Sequence, residues 1–219
     1  FGNQHFLILG LNREENLNNQ LKFYNSLALI NNSGNVLDIY DKKRLVPFGE
    51  FLPLENLLSK LGLKSLTNNY QSYSPGSSKE KILRINNDEL GFLPLICYEI
   101  IYSGQIIKNQ SFDHIINISE DGWFGKSIGP HQHFVHSIFR SIETGKYILR
   151  SANNGITSIT DPKGKIVSRV KLEDKGSIIF DEYKKTNETL YSQFGNKTFL
   201  VLIFIYIFLI FSFNRIKYE

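Results

Sequence analysis

Methionine is absent from the 219 residues, and cysteine and tryptophan occur once each. A single Cys cannot form an intramolecular disulfide, so a disulfide-stapled scaffold is excluded. A chain that lacks Met and opens on Phe1 is expected to be a processed product or a fragment, and the fragment reading is adopted. Charge imbalance is small: 25 Lys and Arg against 21 Asp and Glu leave a net +4 and a pI of about 9.0. No RNA-binding or helix-turn-helix pattern accompanies that weak excess, so nucleic acid is not an expected partner, and anionic lipid suits the charge better. His131, His133 and His136 fall at i, i+2, i+5, which does not gather three ligands on one helix face. No metal site and no cofactor are therefore expected. Internal repeats are lacking, and the paired asparagines are a compositional bias.

What is present excludes disorder: 42% of residues are hydrophobic, with 17 Phe and 11 Tyr. The length fits one domain of ordinary size. The clearest physical signal lies at the C-terminus, where Thr198 to Asn214 carry no charge and are nearly all Leu, Ile, Val, Phe or Tyr. As a helix this run extends about 26 Å, near the lower limit for crossing a bilayer. Lys197 and Arg215 flank it and can snorkel to the interfaces. A transmembrane helix is predicted over 197–215, with a cytoplasmic tail at 216–219, because Arg215 and Lys217 follow the span. A linker is expected at 183–196 and one catalytic domain over 1–182.

That body alternates strand-like and helix-like segments. Strands are predicted at His5–Leu11, Glu89–Ile96, His114–Ser119, Tyr147–Ser151, Ile156–Ile159 and Ile166–Val170. Lys22–Ile30 and Val36–Tyr40 flank Asn31-Asn32-Ser33-Gly34-Asn35 and read as a hairpin. Leu54, Leu57, Leu58 and Leu61 recur at helical spacing. Helices are also predicted at Ile100–Asn109 and His133–Lys146, and Asp161-Pro162-Lys163-Gly164 as a type I turn. The pattern is α/β with much antiparallel pairing.

Three segments can carry chemistry. Cys97 ends an apolar strand with a helix expected to follow, and such a strand-to-helix turn presents a nucleophile where the helix N-terminus favours a thiolate. A small buried hydrophobe is the bland alternative. Lys42 and Glu50 bracket Leu45-Val46-Pro47-Phe48-Gly49, a stretch that pulls its charged ends under the fold. A lysine near a thiolate lowers its pKa and can stabilise an oxyanion, while a buried Glu needs a cation. Lys43 and Arg44 read as a solvated strand end. Asn117 to Gly125 runs from a strand into a glycine-hinged loop tipped by Trp123 and Phe124, which suits a pocket wall as well as a packed loop. Phe51, Leu52, Leu54, Leu57 and Leu58 follow Glu50 directly and read as a core helix or as an arm dipping into a lipid interface.

Together, "YDKKRLVPFGEFLPLE", "CYE", "NISEDGWFGKSIGPHQHF" and "RSANNGIT" closely resemble the bacterial apolipoprotein N-acyltransferases of the nitrilase (carbon–nitrogen hydrolase) superfamily. The resemblance runs from the first strand to the final apolar run. It implies a nitrilase-like α-β-β-α sandwich, N-terminally truncated here, on the periplasmic side of the bacterial inner membrane and followed by one transmembrane helix. It also implies transfer of a fatty acyl chain from a phospholipid, through a Cys thioester, to the α-amine of a diacylglyceryl-cysteine on an apolipoprotein. Carried over residue by residue, Cys97 is the nucleophile, Lys42 the catalytic lysine and Glu50 the glutamate supporting it. Tyr98 and Glu99 are the pair required after the nucleophile, with Tyr98 N–H and the Lys42 ammonium forming the oxyanion hole. Trp123 and Phe124 fall in the substrate-binding loop. The phospholipid donor, the apolipoprotein acceptor and the inner membrane are the implied partners, and a monomer is expected.

The departures are specific. The superfamily's general-base Glu belongs to a Pro-Glu motif well before the lysine, and Glu14 and Glu15 lack that motif. Loss of a positioned base is worth about 10²–10⁴-fold, so the chain alone is expected to be inactive. Glu120 stands where the family usually has Asn. Two other readings stay open: a membrane-anchored amidase of the same superfamily, and a non-catalytic membrane-tethered paralogue.

Overall fold

The computed structural model describes residues 2, 5–17, 19–54, 72–77, 81–85, 90–105, 111–181, 184 and 186–216. Two sheets form its centre. β1 (Phe6–Leu17), β2 (Gln20–Asn31) and β3 (Val36–Asp41) make an antiparallel three-stranded sheet in chain order. The predicted hairpin is present: Gly34 N–H donates to Asn31 O at 3.0 Å, and Gly34 turns the chain with a φ of 81°. The first strand runs farther than its apolar half, because Asn12 to Leu17 pair with Gln20 to Asn25.

The second sheet has six strands in chain order: β4 (Leu83–Ile85), β5 (Leu90–Ile96), β6 (His114–Glu120), β7 (Tyr147–Asn153), β8 (Thr157–Thr160) and β9 (Ile166–Val170). β5, β6 and β7 are parallel neighbours, flanked by antiparallel pairs. Their carboxyl ends therefore lie along one edge, where Cys97, Asp121 and Asn154 follow. The turn joining β8 to β9 forms at Asp161–Gly164 as predicted, with Gly164 N–H donating to Asp161 O at 2.9 Å.

Strand alternation assigns the two cores. Leu27, Leu29 and Tyr40 of the first sheet meet Leu83, Phe92 and Ile96 of the second, with Ile116, Ile118 and Leu149 packed against them. The intervening residues Leu93, Ile115 and Ile148 point the other way and join Ile100 and Phe112. Over that outer face lies α1 (Gly129–Thr144), which starts four residues before the predicted helix because Pro130 suits the first turn. It stops at Gly145, in the left-handed conformation with a φ of 69°. Among the described residues this is one helix layer on the six-stranded sheet. In the described part of the predicted helix at 100–109, a 3-10 turn over Cys97–Ile101 closes at Tyr102. Residues 106–110, and all but Leu54 of the predicted Leu54–Leu61 helix, lie outside the described residues.

The C-terminal segment is laced to the end of α1. Lys146 Nζ donates to Thr186 O at 2.8 Å, and the hydroxyls of Thr186 and Thr189 donate to Gly145 O and Glu143 O. α2 (Leu190–Phe194) follows, and then α3 (Lys197–Ile216), whose large apolar side chains from Phe199 to Phe213 are exposed. Among the described residues no helix is long and apolar enough to cross a membrane.

Candidate active site

β5 delivers Cys97 to the edge of the parallel strands, where its backbone adopts a φ of 50°. A side chain with a β-carbon rarely occupies that left-handed region, so the surroundings must hold it there. Glu99 supplies one hold. As the third residue of the 3-10 turn it reaches back to the Ile96 N–H, with Oε2 accepting at 2.9 Å. Its Oε1 accepts from the Tyr40 hydroxyl at 2.9 Å, from Lys43 N–H at 2.8 Å and from Arg44 N–H at 3.1 Å. One carboxylate thus joins the Cys97 turn to the end of β3 across both sheets. Burial pushes the Glu99 carboxyl up, against the pull of its four donors. The same burial raises the Tyr40 phenol, and the Glu99 charge adds to it.

Lys42, the next residue after β3, is 1% exposed. Its ammonium donates to Glu50 Oε2 at 2.7 Å, and that oxygen also accepts from Val46 N–H at 2.8 Å. Glu50 Oε1 accepts from Asn25 Nδ2 at 2.8 Å. The Lys42 backbone is fixed as well, its N–H donating to Asn25 O at 2.8 Å and its carbonyl accepting from Gly76 N–H at 2.9 Å. The Leu-Val-Pro-Phe-Gly stretch folds back as its spacing predicts, with Phe48 N–H bonded to Phe51 O. Lys43 and Arg44 are not simply a solvated end. Both backbone N–H groups serve Glu99, and the Arg44 guanidinium lies 4.1 Å from the centre of the Tyr102 ring.

Cys97, Lys42, Glu50, Tyr98, Trp123 and Phe124 all line one cavity of about 710 Å³, walled on its other sides by Ile8 to Asn12 of β1 and by Ile118 to Glu120 of β6. Glu99 is not among the lining residues and acts from behind the wall. Trp123 is 63% exposed at the rim, while Phe124 packs at 5.6 Å on the His133 ring. Leu52 is buried and Leu54 is 73% exposed, so the apolar residues after Glu50 divide between core and surface. Glu120 also faces the cavity, its Oε1 accepting from Gly122 N–H at 2.7 Å and Asn154 Nδ2 at 3.0 Å. Glu14 and Glu15 lie on β1 away from the cavity lining, and Glu15 pairs with Arg13 at 2.9 Å. Among the described residues no group of three or more His, Cys, Asp and Glu is placed to hold a metal ion.

The residues that sequence reasoning missed lie beneath Cys97. Asp121, His133 and Arg150 form a buried cluster, with Asp121 Oδ1 2.8 Å from His133 Nδ1 and Asp121 Oδ2 accepting from Arg150 at 2.7 Å. Burial pushes the Asp121 carboxyl up, but the His133 hydrogen bond and the Arg150 charge outweigh it and hold it below the usual range. One signal was available: Arg150 follows the apolar Tyr147–Leu149 directly within β7, and a charge in a core strand requires a partner.

Residues 2–182 match the carbon-nitrogen hydrolase family. A protein of Bradyrhizobium diazoefficiens described as apolipoprotein N-acyltransferase is 38% identical over 181 residues, covering 82% of this chain and 33% of that protein. One so described from Rickettsia prowazekii is 38% identical over 196 residues, covering 89% and 38%. The chain thus spans about a third of the length of the curated relatives it matches. Among solved structures, an amidase from Nesterenkonia sp. shares the fold at a TM-score of 0.51 and 14% identity, over 78% of this chain and 58% of that one. A variant of that enzyme, described as a nitrilase-superfamily amidase, superposes with the same TM-score of 0.51.

Proposed function

The chain belongs to the carbon–nitrogen hydrolase family, and on that premise we propose that it performs the acyl transfer of lipoprotein maturation. Cys97 takes a fatty acyl chain from a membrane phospholipid as a thioester and passes it to the α-amine of a diacylglyceryl apolipoprotein. The observation that carries this reading is a single cavity holding a cysteine on a left-handed turn beside a buried lysine–glutamate pair. The thiolate attacks the ester carbonyl, and Lys42 and the Tyr98 N–H receive the oxyanion. The thioester is then a good acyl donor to an amine. Glu50 aims Lys42, Glu99 fixes the turn, and Trp123 and Phe124 offer apolar surface to the acyl chain at the mouth.

Among the described residues the cavity's carboxylates are Glu50, already bonded to Lys42, Val46 and Asn25, and Glu120. Both are held by these bonds rather than poised as the general base that the proposed reaction needs, so the 219 residues by themselves are expected to be inactive. The exposed apolar surface of α3 is the part of the chain that meets the inner membrane, with Lys197 at the interface and the catalytic domain on the periplasmic side.

The test uses the intact protein in its own membranes with phospholipid bearing a labelled acyl chain. A hydroxylamine-sensitive label on the wild type, lost in Cys97→Ser and chased onto a diacylglyceryl lipopeptide, is the expected result. An adduct that survives Cys97→Ser overturns the nucleophile assignment. Release of free fatty acid without transfer to the lipopeptide identifies an amidase-like hydrolase instead.

A further inference from the structure

The buried cluster beneath Cys97 takes no part in the acyl transfer as described, yet its bonds are closely organised. Asp121 Oδ1 also accepts from Ser119 Oγ at 2.7 Å, and Arg150 donates to Asn117 Oδ1 and, at 3.2 Å, to Ile156 O. One atom of the cluster reaches the site: His133 Nε2 lies 3.1 Å from the Cys97 carbonyl oxygen. Both ring nitrogens face oxygens that can only accept, Nδ1 the Asp121 carboxylate and Nε2 the Cys97 carbonyl, so each donates.

The consequence is geometric. The C=O of Cys97 and the N–H of Tyr98 belong to one peptide unit, and in a trans peptide they point in opposite directions. Holding the carbonyl from the α1 side turns the Tyr98 N–H the other way, toward the cavity that Cys97 and Tyr98 line. As an early residue of the 3-10 turn, Tyr98 has no acceptor for this N–H within the turn. Nor does local preference fix the plane, since Cys97 sits at a φ of 50°. We infer that His133 is a positioning residue for the oxyanion hole, itself fixed by Asp121 and Arg150. The inference rests on the acyl-transfer reading of the site. In that step the C–S bond forms as the π pair of the donor carbonyl moves to oxygen. The oxyanion accepts from Tyr98 N–H, and collapse restores C=O and breaks the C–O bond. The leaving oxygen departs with the electron pair and takes up the proton given up by the thiol.

Two nearly isosteric variants of the intact protein in detergent separate this role from a structural one. His133→Asn keeps a donor at the Nδ1 position for Asp121 but falls short of the Cys97 carbonyl, whereas His133→Gln reaches it. A p-nitrophenyl fatty acyl ester reads acylation through the nitrophenolate burst. Iodoacetamide reads the Cys97 thiol in a displacement that forms no oxyanion. His133→Asn should slow the burst about 10- to 100-fold while alkylation stays within about twofold, and His133→Gln should recover to within about fivefold of wild type. An unchanged burst in His133→Asn overturns the inference. So does a parallel fall in burst and alkylation, or a Gln variant as slow as the Asn variant. If wild type shows the ester burst but takes no acyl chain from phospholipid, the proposed donor fails while the role of His133 stands. A wild type without any burst overturns both.

Discussion

Glu99→Gln isolates what one buried carboxylate contributes to this architecture. The substitution keeps the shape and leaves a carbonyl oxygen to face Tyr40, Lys43 and Arg44, but it turns an amide NH₂ toward the Ile96 N–H. Donor then opposes donor, and an unsatisfied buried N–H costs about 1–3 kcal/mol. The three remaining bonds fall from charge-assisted to neutral, together about 1.5–2 kcal/mol. Relief of a carboxylate that burial disfavours returns about 1 kcal/mol. The net loss is about 1.5–4 kcal/mol, which for a domain of this size lowers the thermal midpoint by roughly 3–16 °C. Thermal denaturation of the purified protein reads that limb. The second limb is chemical: the lost bond belongs to the residue preceding Cys97, so the nitrophenolate burst should fall about tenfold. A variant within about 0.5 kcal/mol of wild type, with an unchanged burst, would refute the idea that Glu99 ties the nucleophile's turn to β3.

The lysine–glutamate pair makes a separate prediction. Glu50→Gln removes the countercharge from a buried ammonium and should lower acyl-thioester formation by about 10²-fold, read by the same burst. A burst within a factor of about three of wild type would show that Lys42 needs no such partner. His114 offers a pH test remote from the chemistry. It is enclosed by Phe92, Tyr147 and Phe180 at ring separations of 5.8, 6.0 and 5.9 Å, and burial pulls its pKa down to about 4. Because the folded value lies below the unfolded one, its stabilising contribution is complete above about pH 6.5 and is lost as pH falls toward 4. Urea denaturation should show that loss in wild type and a flatter profile in His114→Phe. Parallel profiles would place the acid sensitivity elsewhere.

The elements that were legible in the sequence are those governed by local rules. The turn-rich Asn31–Asn35 loop set the β2–β3 hairpin, and apolar patterning located β5, β6 and β9 to within a residue. Lys42, Glu50 and Cys97 were found because reactive or charged types interrupt apolar stretches beside turn residues. The start of the helix expected at 100–109 is instead part of a 3-10 turn, because Ile100 and Ile101 are apolar for another reason. Ile100 fills the core under α1, and the turn that contains it begins at Cys97. Asp121, His133 and Arg150 escaped notice because their pairing is tertiary: α1 and β7 bring together residues up to 29 positions apart. Glu99 was singled out only through family resemblance, since no local pattern tells that a carboxylate two residues past the nucleophile will bond to β3.

The Tyr40–Glu99 hydrogen bond joins residues 59 positions apart, and the Lys43 bond joins residues 56 apart. Contacts of that separation form late, after the loop between them has been closed against chain entropy. The nucleophile's backbone turn and the lysine's seat are therefore completed only when the two sheets have docked. A partly folded chain carries a cysteine of ordinary reactivity and a lysine free in water. The arrangement that the proposed acyl transfer needs then arrives with the tertiary structure rather than before it.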